Sequence, residues 1–497
     1  MFETITPEAA GISSRQVEKL LALYERHGIT LHSVLMMRGN KIFSENYWAP
    51  FTAEFCHRMY SQTKSFVGVA IGLLEEDGKL SLDDKIASYF ADKIDGELPP
   101  YLAKQTIRQM LTMTTCGDSE NWFLHTDHDR CHIYFNHRRT THPAGTLWQY
   151  DSPGSQVLCV LAERLSGMPL LDYLKKKIFN EIGSFQTATM LKTPTGESWG
   201  DSAMVCTPRD MLSFARFVMN YGTWNGKRLM NEAYLRTATS RVVDNDTDGH
   251  GGALSYGYGY QIWRLEQNSF GFIGMGDQLT ICVPDKDFIF TCTADNQGAP
   301  AARAAARAIL IDSLFDGIVN ELSEHPLAED SKAKASLDSF RANLKLRSIT
   351  GEAVSPFEAE LNGAEYVCDK PNPQKITHFS FVFHGDGTGE FRYTNEQGDK
   401  VLPFGMNHNV FGKFPQDGYS DEIGTMPGAP GFRYNCAVSA AWREEKKLIL
   451  RIQIIDRYFG NSTAVFAFRG DEVAVCMTKA AEAFLNEYTG TFVARRV

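Results

Sequence analysis

Ser61-Gln62-Thr63-Lys64-Ser65-Phe66-Val67-Gly68-Val69-Ala70-Ile71-Gly72-Leu73-Leu74 sets a serine and a lysine three residues apart at the head of a run that is apolar nearly all round and stops at Gly78. A helix with no polar face belongs in an interior, so the run predicts a buried helix over residues 61–76 with a glycine stop. Residues three apart share a helix face, which brings the Lys64 amine within reach of the Ser61 hydroxyl. A lysine packed among apolar neighbours loses hydration of its charged form, and in that state it can take a proton from a serine hydroxyl. Backbone N–H groups and the positive dipole end at a helix N-terminus would favour the oxyanion formed on attack. The competing reading of the same residues is a serine cap followed by a lysine that snorkels to the surface. Spacing alone does not separate the two, because it recurs at Ser331-Lys332-Ala333-Lys334 in a polar stretch with nothing around it.

Context separates them. Pro143-Ala144-Gly145-Thr146-Leu147-Trp148-Gln149-Tyr150-Asp151-Ser152-Pro153-Gly154-Ser155 is a turn-rich approach to a second apolar helix. A tyrosine at the mouth of a helix can project its phenol into a cleft, where a lysine ammonium favours the phenolate; otherwise it is a core tyrosine with a satisfied hydroxyl. The order of these motifs resembles the serine β-lactamase and penicillin-binding-protein superfamily, in particular its class C β-lactamase-like esterases, peptidases and amide hydrolases. Further stretches carry the resemblance: Pro7-Glu8-Ala9-Ala10-Gly11-Ile12-Ser13, Asp77-Gly78-Lys79-Leu80-Ser81-Leu82-Asp83-Asp84, Ile107-Arg108-Gln109-Met110-Leu111-Thr112-Met113-Thr114-Thr115, Thr207-Pro208-Arg209-Asp210-Met211, Gly257-Tyr258-Gly259-Tyr260, and Gly274-Met275-Gly276-Asp277-Gln278 followed by Val283-Pro284-Asp285. They fall in colinear order over about residues 5–315.

The resemblance implies Ser61 as acylated nucleophile, Lys64 as its proton partner and Tyr150 as general base or relay. It also implies an oxyanion hole made by the N–H of Ser61 and one from a late strand, here Met275. The family's second motif usually ends in Asn, whereas Tyr150-Asp151-Ser152 ends in Ser, a variant similar to the 6-aminohexanoate-oligomer hydrolases. Ser152 is then expected to bond Lys64 or the substrate amide, with a shorter reach. The third motif, a cation followed by a small residue and Gly, aligns with Phe272-Ile273-Gly274 and lacks its cation, which implies a neutral or apolar substrate group there and argues against strong β-lactam turnover. His250-Gly251-Gly252 has suitable letters but precedes Gly257-Tyr258-Gly259, the wrong order.

The remaining pattern predicts an α/β (α+β) domain, an antiparallel sheet flanked by helices, with an all-β domain behind it. A helix at 14–27 leads into a hairpin of 31–37 and 41–48. Helical periodicity dominates 107–236, strands return at 257–264, 278–283 and 288–294, and an Ala-rich helix follows at 301–315. Strands at both ends with helices between imply a sheet carrying an inserted helical region. The expected boundaries are a hydrolase domain over 1–322 with a helical subdomain at about 85–240, a polar Lys/Glu/Ser-rich linker over 323–349, and a sandwich or barrel over 350–497.

Composition bounds the function. The 497 residues suggest two to four domains at ~150 residues each. With 43% hydrophobic and 22% charged residues, the chain can bury large cores. Fifty Lys plus Arg against sixty Asp plus Glu leave a net charge of −10, which disfavours a nucleic-acid partner and leaves a small molecule or short peptide as the default. No apolar run approaches the ~18 residues of a membrane span. The start, Met1-Phe2-Glu3-Thr4-Ile5-Thr6-Pro7-Glu8, shows no secretory signal. The ten cysteines are scattered, most of them in apolar stretches, which reads as reduced thiols and a cytoplasmic location. A homo-oligomer is allowed.

One cluster stands apart: His125, Asp127, His128, Asp129, Cys131, His132, His137 and His142. His128 and His132 could chelate zinc if both lay on one helix; a polar lid over the cleft is the preferred reading, with Trp122, Phe123 and Trp148 as an aromatic wall or as ordinary packing. The expected activity is a serine acyl-enzyme hydrolase acting on a linear amide or carboxylic ester, with no metal and no organic cofactor. Its alternatives are a penicillin-binding or D-amino-acid peptidase, and a non-catalytic binding or sensor module.

Overall fold

In the computed structural model the described residues are 2–118, 121–246, 252–416, 433–481 and 488–497; His250 and Gly251 lie outside them. The chain forms two compact units, one of Met1–Asn296 with Arg303–Lys345, the other of Gln297–Ala302 with Leu346–Val497.

The first unit is built on a seven-stranded sheet of β1 (Glu3–Thr4), β2 (Leu31–Arg38), β3 (Lys41–Tyr47), β4 (Trp263–Arg264), β5 (Phe270–Gly274), β6 (Gln278–Val283) and β7 (Phe288–Ala294), in the order β1-β3-β2-β7-β6-β5-β4. All neighbours are antiparallel except β1 on β3. Both faces are covered, which is why β2 reads as a continuous apolar run rather than an alternating one. Val34, Met36, Ile273, Leu279 and Ile281 join a core with α1 (Ser14–Arg26) and α5 (Pro300–Leu314). Leu35, Met37, Phe272 and Cys282 join the opposite core with α2 (Thr63–Glu76), α3 (Ser152–Ser166) and α4 (Pro208–Met219). Successive strand side chains point to opposite faces, so one strand serves both cores.

Helix α2 is buried at every position from Thr63 to Leu74, as its apolar circumference requires. Its first turn differs from the expected one: residues Tyr60–Gln62 form a 3-10 turn and the α-helix starts at Thr63. Two other expectations change. Of the strand expected at 257–264, only Trp263–Arg264 is ladder, preceded by single bridges at Tyr258. The polar stretch read as linker holds helix α6 (Ser331–Ala342), capped by Asp330 and buried at Ala333 and Leu337. Two apolar residues on one face are enough to dock a helix that periodicity alone under-reads.

The second unit is a closed barrel. Its strands are β8 (Glu365–Cys368), β9 (His378–Phe383), β10 (Thr388–Asn395), β11 (Gly398–Met406), β12 (Val410–Lys413), β13 (Asn435–Glu444), β14 (Lys447–Ile455), β15 (Phe459–Arg469), β16 (Glu472–Ala481) and β17 (Gly490–Arg496). The ring runs β11-β10-β9-β8-β17-β16-β15-β14-β13 and closes where Gly405 and Met406 pair with Ser439 and Ala440; β12 lies on the outer part of β13. Closure removes sheet edges. Phe379, Phe381, Phe391, Phe404 and Phe466 pack against one another and are all buried, so aromatic side chains fill the core.

Candidate active site

The site begins with a backbone constraint. Tyr60, next to Ser61, has φ 48°, a left-handed conformation that a bulky side chain adopts only when its surroundings impose it. Several contacts do so. Strand β5 approaches so closely at Gly274 that a Cβ there would run into the Met59 carbonyl oxygen. Thr280 Oγ1 on β6 donates to Gln62 Oε1 at 2.8 Å, and the Met204 N–H donates to Thr63 Oγ1 at 3.0 Å. The Arg58 guanidinium lies 4.3 Å from the centre of the Tyr60 ring and donates to the Ser202 carbonyl and hydroxyl at 3.0 and 2.7 Å.

On that turn, Lys64 Nζ donates to Ser61 Oγ at 3.0 Å. The Lys64 side chain is only 2% exposed, while Ser61 is half-buried. Lys64 Nζ lies 5.1 Å from the centre of the Tyr150 ring. The structure therefore brings Ser61, Lys64 and Tyr150 together. It also supplies Lys64 with a partner that the sequence reading missed: Nζ donates to the Asp201 carbonyl at 2.7 Å and lies 3.8 Å from the Asp201 carboxylate. Burial among apolar neighbours alone does not describe this lysine, because a counter-charge lies beside it.

Tyr150 is held from behind and from below. Its ring stacks on Trp263 at 5.6 Å between centres, with Trp148 at 6.5 Å; Trp148 in turn packs on Tyr258 and Trp263, so it supports Tyr150. Asp151 caps α3 by accepting from the Gly154 N–H at 2.9 Å, and it also accepts from Thr115 Oγ1 at 2.8 Å and Arg138 Nη2 at 2.9 Å. The Arg138 side chain is completely buried.

The other expected residues fall less neatly. Ser152 opens α3 half-buried, and Lys64 takes Asp201 rather than Ser152 as its second partner. Phe272 is not a substrate wall: it is 0% exposed and packs on Phe214 of α4 at 5.1 Å. Ile273 points into the opposite core. Gly274 acts through its missing side chain, and Met275 sits half-buried at the tip of the β5–β6 hairpin, its carbonyl accepting from Gln278 Nε2 at 2.9 Å.

In the histidine cluster, the helix is Arg130–Asn136 with Asp129 as its cap, so His128 precedes it and shares no helical face with His132. His132 is instead held between Asp127 at 2.6 Å and Asp95 at 2.8 Å. Hydrogen bonds to Asp95 and then Asp127 push its pKa up. Among the described residues no group of three or more His, Cys, Asp or Glu side chains is placed to hold a metal ion. The Arg130 guanidinium lies 4.6 Å from the Trp122 ring and 4.4 Å from the Trp199 ring, and Arg58 lies 4.6 Å from the other side of this network at Trp199. Alternating cations and aromatic faces thus connect Trp122 to Tyr60. Arg58, Trp199 and Asp201 carried no motif: Trp199-Gly200-Asp201-Ser202 is a short irregular stretch with no period to read.

The Ser61-x-x-Lys64 turn thus packs against the β5–β6 hairpin of a sheet covered on both faces. The Beta-lactamase family profile matches residues 15–313, and the chain belongs to that family. It is 22% identical over 260 residues to a 6-aminohexanoate-dimer hydrolase of Paenarthrobacter ureafaciens, covering 49% of this chain and 66% of that protein, just under two thirds of its length. It is 29% identical over 150 residues to Penicillin-binding protein 4* of Bacillus subtilis, covering 28% of this chain and 31% of that one. A solved structure from Bacillus anthracis, provisionally named a 6-aminohexanoate-dimer hydrolase, superposes with a TM-score of 0.53 at 17% identity, covering 65% of this chain and 89% of that one, and supports the fold. No helix among the described residues is long and apolar enough to cross a membrane.

Proposed function

We propose that the chain is a serine hydrolase that cleaves a linear amide or carboxylic ester through an acyl-enzyme on Ser61. The observation that carries this is the 3.0 Å hydrogen bond from buried Lys64 Nζ to Oγ of the half-buried Ser61, with the Tyr150 ring centre 5.1 Å from the same amine. Ser61 Oγ attacks the carbonyl carbon while its proton passes to the Lys64/Tyr150 pair. The N–H groups of Ser61 and Met275 receive the oxyanion. As the tetrahedral intermediate collapses, the leaving amine or alcohol takes that proton. Water then attacks the ester carbon, gives its proton to the same pair, and releases the acid and Ser61.

A linear substrate is favoured by the relative named for a 6-aminohexanoate dimer. Ser61→Ala is expected to abolish both hydrolysis of short p-nitrophenyl esters and linear amides and covalent labelling by a fluorophosphonate. Retained turnover in that variant would overturn the assignment.

A further inference from the structure

Resting on that reading, we propose that Asp201 is a positioning residue for the reaction: its carboxylate balances the Lys64 ammonium and holds it aimed at Ser61. Residues 198–202 form a strap across the back of the site, and several of them are pinned. The Ser198 carbonyl accepts from Gln156 Nε2 at 3.0 Å, and Gln156 Oε1 accepts from the Gly200 N–H at 2.8 Å. Gly200 lies so close to Cys159 on α3 that any Cβ would overlap that side chain. Trp199 takes the Arg58 and Arg130 guanidiniums at its ring, and Ser202 takes two hydrogen bonds from Arg58. The strap is thereby fixed at α3 and at the nucleophile turn, and Asp201 is delivered between them.

Asp201 meets Lys64 twice, through its carbonyl at 2.7 Å and its carboxylate at 3.8 Å, with side chains 7% and 2% exposed respectively. Such a pair is little screened by solvent, and its attraction counts for more than on a surface. The geometry also accounts for a serine at position 152: Lys64 has its second partner on the strap, so the second motif need not supply one. Among the described residues, the titratable and charged groups found against Lys64 are Asp201 from the strap and Tyr150 from the approach to α3; Arg58 binds Ser202 of the same strap and the Tyr60 ring. Cys159, against Gly200, has its thiol pKa pushed well up by burial and stays uncharged.

The test is the rate at which a fluorophosphonate labels Ser61 between pH 5 and 9, in wild type, Asp201→Asn and Asp201→Ser, with Ser61→Ala as blank. Removing a negative charge beside the reacting groups eases their loss of protons. The acid limb of the rate profile is therefore expected to move to lower pH by about one unit, roughly a tenfold change in the protonation equilibrium, in both variants. A purely structural role would lower the plateau and leave the limb in place, and that result overturns the proposal. If neither variant folds, Asp201→Glu, which keeps the charge but moves the carboxylate, decides: the labelling rate should fall severalfold with the acid limb left in place, and an unchanged rate overturns the proposal. Failure of the wild type to label at Ser61 would instead overturn the reading on which the proposal rests.

Discussion

Gly274 and Tyr60 together set where Ser61 can stand. The left-handed Tyr60 turn carries the nucleophile up against β5, and only a residue with no Cβ lets that strand pass the Met59 carbonyl. Gly274→Ala should therefore force the turn and the strand apart. The expected cost is about 1–3 kcal/mol of stability, the usual range for overpacking a tight interior, read by urea unfolding. Fluorophosphonate labelling of Ser61 should fall more than stability does, because the Met275 N–H moves with the strand. An alanine variant that labels at the wild-type rate would show that the close approach has no part in the site. In the sequence this glycine was legible as part of a motif, but its physical role was not, since nothing in the chain says which backbone lies opposite.

At the scale of elements, the two helices that frame the site are set by different means. Helix α2 is placed by its apolar circumference. Helix α3 is placed by the buried cap at Asp151, which Arg138 and Thr115 hold. Arg138→Met would leave the Asp151 carboxylate buried without its cation, a change that costs about 3–5 kcal/mol when a buried pair loses one partner. Chemical denaturation of this variant should show a loss of that order, and Ser61 labelling should slow as Tyr150 loses its foundation. Adding Asp151→Asn to the same protein removes the orphaned charge and should recover a good part of the stability. No recovery would mean that Arg138 acts through packing alone, for instance through its stacking on Tyr134. Cap and arginine lie thirteen residues apart in sequence with nothing to mark them as partners, so this link could not have been read from the chain.

For the whole molecule, the first unit contains a buried histidine pair that sets an acid limit. His32 Nδ1 and His57 Nε2 are 2.8 Å apart, and His57 Nδ1 lies 2.9 Å from the Arg58 carbonyl. A carbonyl can only accept, so His57 donates through Nδ1; with burial keeping both rings neutral, its Nε2 accepts from the His32 N–H. Burial pushes the His57 pKa down to about 3, and that of His32 well below its ordinary value. The unfolded chain takes up protons near pH 6.5 while the folded one does not, so the contribution of this pair is fully present above that pH and is lost as pH falls toward 3. Each unfolded-state proton steepens the loss by up to about 1.4 kcal/mol per pH unit. Urea unfolding between pH 7 and 5.5, above most of the range where the unfolded chain protonates carboxylates such as Glu45, whose folded pKa is lowered, should show this slope. His57→Gln should make it shallower, and an unchanged slope would place the acid sensitivity elsewhere.

What the chain determined by itself was periodic or local: the buried helix behind Ser61, the strands of the sheet, an all-β second unit, and the serine and lysine one turn apart. These follow from the burial of apolar faces and from spacing within a helix, both of which are written along the sequence. Only the tertiary structure decided which polar groups meet across it. Asp201 beside Lys64, Arg138 under Asp151, the Arg58–Trp199–Arg130 stack, and the burial of Phe272 away from the cleft all depend on the direction in which distant loops deliver single side chains. A lone charge or ring in an irregular loop has no period to announce its partner, and its meaning is fixed by the three-dimensional packing of elements far apart in the chain.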